Sequence, residues 1–343
     1  MALPLSKGKI EASLDYQIIN ESVDLLGLRE DEYEKLSSAD RATAPGDLWG
    51  VRLKFNYGLF KNTTLMSTSQ YRSQDYGFDA IGIKTIDLSL KQSLFKGNAI
   101  WFPNLALDAG LRFNSAESII YNDQSELNAI VQRMSPGTSI RIRLDENFVW
   151  FDQEINGDQY SLGARRQGRP DPEVTIRDLW DFSSYIRLTG GRIWGWFFPN
   201  LFVEYGHTEI SSKIDTTLTE YIPGQFQDDL PSFPIDLSRS ENYIKTGISL
   251  HIKLPFKTLF QLEYDYLKLY QGDDLDYMDY NNIIKTDISY FPTPNLAFSI
   301  GGIYFERQLN GEIPFLYNKY TQTTFDHPYG YAHIGFTYFF DIS

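Results

Sequence analysis

The residue pattern of this chain has a period of two, sustained from one end to the other. Near the N-terminus Ile10, Ala12, Leu14, Tyr16 and Ile18 alternate with Lys9, Glu11, Ser13, Asp15 and Gln17. The same alternation sets Val51, Leu53, Phe55, Tyr57 and Leu59 against Arg52, Lys54, Asn56 and Gly58. It sets Leu105, Leu107, Ala109, Leu111 and Phe113 against Ala106, Asp108, Gly110 and Arg112. Ile244, Thr246, Ile248, Leu250 and Ile252 oppose Lys245, Gly247, Ser249, His251 and Lys253, and Phe260, Leu262, Tyr264 and Tyr266 oppose Gln261, Glu263 and Asp265. Successive side chains of a strand point to opposite faces, so each segment predicts a strand with one apolar face and one polar or small face.

Weaker runs fill 62–73, 81–94, 137–144, 148–156, 182–194, 200–212, 280–291 and 295–306. The last segment, 329–341, puts Ala332, Ile334, Phe336, Tyr338 and Phe340 against His333, Gly335 and Thr337. Together they place fourteen strands; Phe148 to Phe151 is apolar without alternation. The connections alternate as well. Short ones fall at 60–62, 95–103, 145–147, 195–200, 255–257 and 292–295; long polar ones at 20–47, 74–80, 115–136, 157–181, 214–240, 271–279 and 308–328. That is the layout of an up-and-down meander with both termini on the short-turn side. Several turns end a strand in aromatics, bend at Pro and Asn and restart on Leu, as in Trp101-Phe102-Pro103-Asn104-Leu105 and Trp196-Phe197-Phe198-Pro199-Asn200-Leu201.

This organisation resembles the bacterial outer-membrane β-barrels of the porin-like class over nearly the whole chain. The strands are long enough to cross hydrocarbon when tilted. Aromatics stand where interfacial girdles belong: Trp101, Phe102, Trp194, Trp196, Phe256 and Phe291 by the short turns, Trp49, Tyr71, Tyr270 and Tyr277 by the loops. The last strand is similar to the aromatic-rich C-terminal assembly signal of that class, with the departure that Asp341-Ile342-Ser343 follows Phe340. The resemblance implies an all-β, transmembrane antiparallel barrel of fourteen strands, a single domain over 1–343, in the outer membrane of a Gram-negative bacterium. Short turns then face the periplasm, long loops the exterior, and lipid and lipopolysaccharide surround the wall.

Composition narrows the alternatives. A mean hydropathy of −0.34 and no apolar run near 18 residues exclude membrane-spanning helices. With no Cys, disulfide scaffolds, iron–sulfur clusters and Cys-based zinc sites are excluded. A net charge of −14 argues against nucleic acid, and 15% aromatics against disorder. Soluble all-β folds have strands of about five or six residues and must bury their aromatics in a core. Residues 1–7 carry no signal-peptide pattern and lead into a strand, so a mature chain or a misplaced start codon is expected, with no plug domain ahead of strand one.

Charge is unevenly placed. The seven loops hold 29 acidic against 10 basic residues, whereas the strands and turns are slightly basic. Along the polar faces lie Lys9, Glu11, Asp15, Arg52, Lys54, Asp108, Arg112, Arg141, Arg143, Arg187, Glu204, Lys245, Lys253, Glu263, Asp265, Lys285, Asp287 and His333. A basic residue facing lipid at the midplane costs about 2–4 kcal/mol, so these are expected to line the pore. Fourteen tilted strands enclose a backbone diameter of ~28 Å, too wide for wall side chains alone to fill. Arg52, Lys54, Arg112, Arg141 and Arg143 on early strands against Glu263, Asp265 and Asp287 on late ones predict a field across the lumen.

Other constellations have plainer readings. Asp273, Asp274, Asp276 and Asp279 form an acidic loop without EF-hand spacing, so no metal is expected. Ser249, His251 and His333 lie on lumenal faces of non-neighbouring strands, and a barrel hydrolase is the least favoured reading. Arg165, Arg166 and Arg169 either bind phosphate or sugar acids or pair with Asp171, Glu173 and Asp178, the latter preferred. Gly190-Gly191 and Gly301-Gly302 mark strand bends rather than phosphate loops. The expected function is passage of small hydrophilic solutes without cofactor or catalysis. The alternative is a structural or partner-binding barrel, an export conduit or a sleeve for a periplasmic protein, with its pore closed by loops.

Overall fold

The computed structural model describes residues 4–24, 27, 45–76, 79–97, 104–135, 140–155, 158–222, 231–272, 275, 279–320 and 325–341. In chain order the elements are β1 (Lys9–Ile19), β2 (Pro45–Phe60), β3 (Thr63–Tyr76), β4 (Asp79–Phe95), β5 (Asn104–Ala116), β6 (Ile119–Tyr121), α1 (Gln124–Met134), β7 (Arg141–Leu144), β8 (Phe148–Ile155) and β9 (Asp158–Arg165). They continue with β10 (Val174–Gly191), β11 (Phe197–Thr216), β12 (Ile235–Asp236), β13 (Arg239–Leu254), β14 (Thr258–Tyr270), β15 (Tyr280–Thr293), β16 (Leu296–Phe305) and β17 (Tyr329–Asp341).

The main sheet is antiparallel throughout and closes on itself. β1 pairs with β2 on one side and with β17 on the other, from Lys9↔Asp341 to Ile18↔Ala332. The continuous sheet counts fourteen strands, of which β1 to β5, β10, β11 and β13 to β17 make the closed wall. The other two, β6 and β12, are short additions at the loop ends of β10 and β11. Twelve wall strands reduce the backbone diameter to ~24 Å.

Two segments expected in the wall leave it. β7 and β8 pair with β9 in a separate three-stranded sheet. With four and eight residues they are shorter than the roughly 9–11 that a tilted crossing needs. Among the described residues, α1 and β7 to β9 therefore stand on the loop side of the wall, between β5 and β10 in the chain. The 74–80 connection, expected to be long, is largely taken up by the ladder, β3 pairing with β4 out to Tyr76↔Asp79.

The faces are inverted relative to a soluble barrel. Outward positions are apolar and exposed on strand after strand, including Leu53, Ile86, Ile186, Leu201, Ile300 and Ile334, while inward positions such as Asp15, Glu204 and Asp265 are buried. An apolar belt of this extent far exceeds the few hundred Å² a soluble monomer exposes and suits hydrocarbon as solvent. Trp194, Trp196 and Phe256 bound it by the short turns, Trp49, Tyr71 and Tyr270 by the loops. Trp101, Phe102 and Tyr277 lie outside the described residues.

A second apolar core caps the loop end. The α1 helix starts on a capping box, Asp123 accepting from the Ser125 N–H and the Glu126 carboxylate from the Asp123 N–H. It buries Leu127, Ile130, Val131 and Met134 at helical spacing against Val149 and Phe151 of β8 and the loop ends of the wall. Leu309, Ile313, Phe315, Leu316, Tyr317 and Phe325 of the β16–β17 connection join the same cluster at 0–2% exposure.

Ile300→Arg, on the outward face of β16, should lower assembly by about 2–4 kcal/mol, read as loss of the heat-modifiable folded band. Gln261→Arg, facing the lumen, should fold at the native level. Equal assembly of both would contradict the assignment of faces.

Candidate functional site

The barrel interior between the loop-side core and the short turns holds a cavity of about 590 Å³. Its walls are the polar faces of the strands, and register decides which charges meet. Asp15 on β1 stands opposite Arg52 on β2, and their side chains meet at 2.8 Å, with Lys54 3.7 Å from the same carboxylate. Asp87 on β4 faces Arg112 on β5 at 3.1 Å, and Lys91 faces Asp108 at 3.6 Å. Arg187 on β10 donates to Glu204 on β11 at 2.6 Å. Lys285 on β15 reaches both Glu263 at 2.7 Å and Asp265 at 2.8 Å, and Asp265 also holds Lys245 at 3.1 Å.

Two glycines give this network room to close, one of them across a whole strand. Asp287, Gly301 and His333 are aligned on β15, β16 and β17, and the His333 ring meets Asp287 at 3.1 Å over the glycine. A Cβ on Gly301 would stand 2.1 Å from the Thr286 carbonyl oxygen and 2.7 Å from His333 Cε1. Likewise the Tyr243 ring lies over Gly206, where a Cβ would come within 2.4 Å, and its hydroxyl donates to Glu204 at 3.0 Å.

The ceiling of the cavity is the inserted β16–β17 segment, tied to the wall from several directions. Arg72 of β3, only 1% exposed, binds Glu312 at 2.8 Å, and Asn114 of β5 donates to the Glu312 carbonyl at 3.3 Å. Arg239 of β13 donates to the carbonyls of Pro314 and Tyr317 at 3.0 and 3.1 Å, and Asn281 of β15 to that of Asn310 at 2.9 Å. Irregular backbone inside a barrel needs partners for its carbonyls, and wall side chains provide them.

Of the residues expected along the lumen, Glu11, Asp15, Arg52, Lys54, Asp108, Arg112, Arg187, Glu204, Lys245, Glu263, Lys285, Asp287 and His333 line this cavity. Asp265 lies beneath Lys245 and Lys285, without exposure. Lys9 pairs with Asp341 and Lys253 stands over the Phe198 ring, both at the short-turn rim. Arg141 and Arg143 are corrected: they belong to β7, exposed on the loop-side sheet, because that strand is too short to enter the wall. The expected field across the lumen is corrected too, since register places each early-strand arginine beside a carboxylate. Arg72, Tyr185, Tyr243 and Glu312 line the cavity without having been singled out. Parity could have found the first three; Glu312 is polar in a loop and carried no such signal.

Among the remaining constellations, Ser249 accepts from Asn200 at 3.2 Å and His333 holds Asp287, while His251 and His333 sit on strands separated by β14, β15 and β16. Asp273, Asp274 and Asp276 lie outside the described residues, and Asp279 pairs with Lys268. Arg166 binds Asp171, whereas Asp178 binds Lys213. Gly301 is a close-approach position within a strand.

No family model matches the chain, and no curated protein does. Among solved structures it is similar to the NanC porin, at 8% identity over 96% of this chain and 98% of that one, with a TM-score of 0.43. The translocator domain of the autotransporter NalP from Neisseria meningitidis aligns at 8% identity over 97% and 89%, TM-score 0.47. The TodX monoaromatic hydrocarbon channel (deltaS2 mutant) aligns at 10% identity over 99% and 91%, TM-score 0.41. At these identities the likeness is one of general architecture.

Asp265→Asn removes the buried carboxylate shared by two partly exposed lysines and should destabilise the barrel by about 2 kcal/mol, less than for a fully buried pair. The urea midpoint of the folded band measures it, and an unchanged midpoint would mean that solvent already screens the pair.

Proposed function

We propose that this chain is a channel-like barrel of the outer membrane of a Gram-negative bacterium. It passes small hydrophilic solutes when the β16–β17 segment leaves the lumen. The observation that carries the reading is the polar cavity of about 590 Å³ inside a closed wall whose outside is apolar. Space lined by compensated charge suits water and small polar solutes, and the belt suits lipid and lipopolysaccharide around it. In the conformation described, the loop end is packed with apolar side chains, so conduction requires a displacement.

The ion pair between buried Arg72 and half-buried Glu312 ties the segment to the wall. Wild-type protein in a planar bilayer should therefore show rare, brief openings. Glu312→Ala should raise the open fraction by roughly tenfold, equivalent to about 1.4 kcal/mol. Because lumenal charges are paired and the loops are acidic, openings should be weakly cation-selective at low salt and nearly unselective at high salt, where charges beyond about 8 Å are screened. Reversal potentials across a salt gradient test this; strong anion selectivity at both strengths would contradict it.

A second reading, a sealed barrel that supports a periplasmic partner, is favoured by the same packed loop end. Silence of a variant lacking 309–326, with the folded band retained, would favour it over conduction.

A further inference from the structure

The sheet of β7, β8 and β9 spends one face on the loop-side core, burying Ile142, Val149 and Phe151, with Leu162 and Ala164 packed there. Its other face is turned away from that core. At the centre, register aligns Arg143, Trp150 and Gly163. A Cβ on Gly163 would fall 2.7–3.0 Å from Cζ3, Cε3 and Cη2 of Trp150, so the benzo ring lies flat on the glycine backbone. The indole N–H donates to Asp145 at 2.7 Å, and Asp145 is itself held by the backbone N–H groups of Asn147 and Phe148 at 2.8 and 2.7 Å. The Phe148 ring stands beside it at 5.4 Å. A ring laid on glycine and pinned by its N–H is oriented before any ligand arrives and loses little freedom on contact.

The surroundings are polar. Arg143 stands over the indole ring, 5.0 Å from its centroid, and 3.3 Å from Asp152, which also accepts from Ser161. Arg141, opposite Asp152, and Arg165, opposite Phe148, are exposed and have no ion-pair partner among the described residues. They stand at opposite corners of the face, roughly 13 Å apart along the strands and 10 Å across them. Two cations that far apart, with two aromatic rings tilted by 35° between them, fit an extended anionic ligand with an apolar flank rather than a single ion. A peptide partner would call for a broader apolar patch than two rings edged by charge.

We infer that this face binds an acidic oligosaccharide presented outside the cell. The C–H face of a pyranose ring packs on the Phe148 ring and against the edge of Trp150, its carboxylates meet Arg141 and Arg165, and its hydroxyls meet Asp152 and Ser161. The place of this face outside the cell rests on the outer-membrane reading proposed above; whether the lumen conducts does not enter.

The full-length barrel in detergent micelles, titrated with a hyaluronan hexasaccharide at constant salt, should bind saturably with a change in tryptophan fluorescence. Maltohexaose, which lacks the carboxylates, and hexaglutamate, which lacks the sugar rings, should each bind at least tenfold more weakly. Trp150→Ala should lose at least tenfold in affinity. Arg165→Gln, outside the ring packing, should lose at least threefold and flatten the salt dependence. Should Trp150→Ala fail to give the folded band, Arg165→Gln and Arg141→Gln carry the test. The inference is overturned if hexaglutamate binds as tightly as the hexasaccharide, if the folded variants keep full affinity, or if the hexasaccharide does not saturate.

Discussion

A peptide group in hydrocarbon has no water to turn to, and an unpaired N–H or C=O there costs several kcal/mol. The ladder between β1 and β17 leaves the wall without a free edge, so that cost is not incurred. Much else depends on this closure. With the edge gone, the outward face can be wholly apolar, and the period of two then forces every second residue inward. Lumenal polarity is thus a geometric consequence of closure, and a wall bearing both signs must arrange them so that none is left alone.

Register arranges them. Asp15 beside Arg52, Asp87 beside Arg112 and Glu204 beside Arg187 each join neighbouring strands across one ladder rung. Where a partner lies two strands away, a glycine clears the path, as Gly301 does for Asp287 and His333. A pairing slipped by one residue would put these charges on the apolar outer face as well as separating them. The interior network therefore specifies register more strongly than apolar alternation alone can.

Most of the wall was legible in the sequence because alternation reports local geometry: 329–341 coincides with β17, and 280–291 lies within β15. The count of wall strands was not, because alternation says nothing of length. Arg141 and Arg143 have the right parity on a strand of four residues. The helix was missed although Asp123 and Glu126 spell its capping box, with Leu127, Ile130, Val131 and Met134 at helical spacing behind them. The inserted segment could not be read at all. Glu312 becomes a partner of Arg72 only through a contact 240 residues away in sequence, and no local pattern encodes that.

The position of that segment also bears on how the molecule can be made. It is the connection between the last two strands, and the seam joins residues near 9 to residues near 341. Contacts of such sequence separation form late, because the loop they close is nearly the entire chain. An order of events follows in which the seam is the final step, so the segment can settle among the open strands before the ring is complete. It never has to thread a finished mouth. The barrel would then be born occupied, and any vacant state would be something it reaches afterwards.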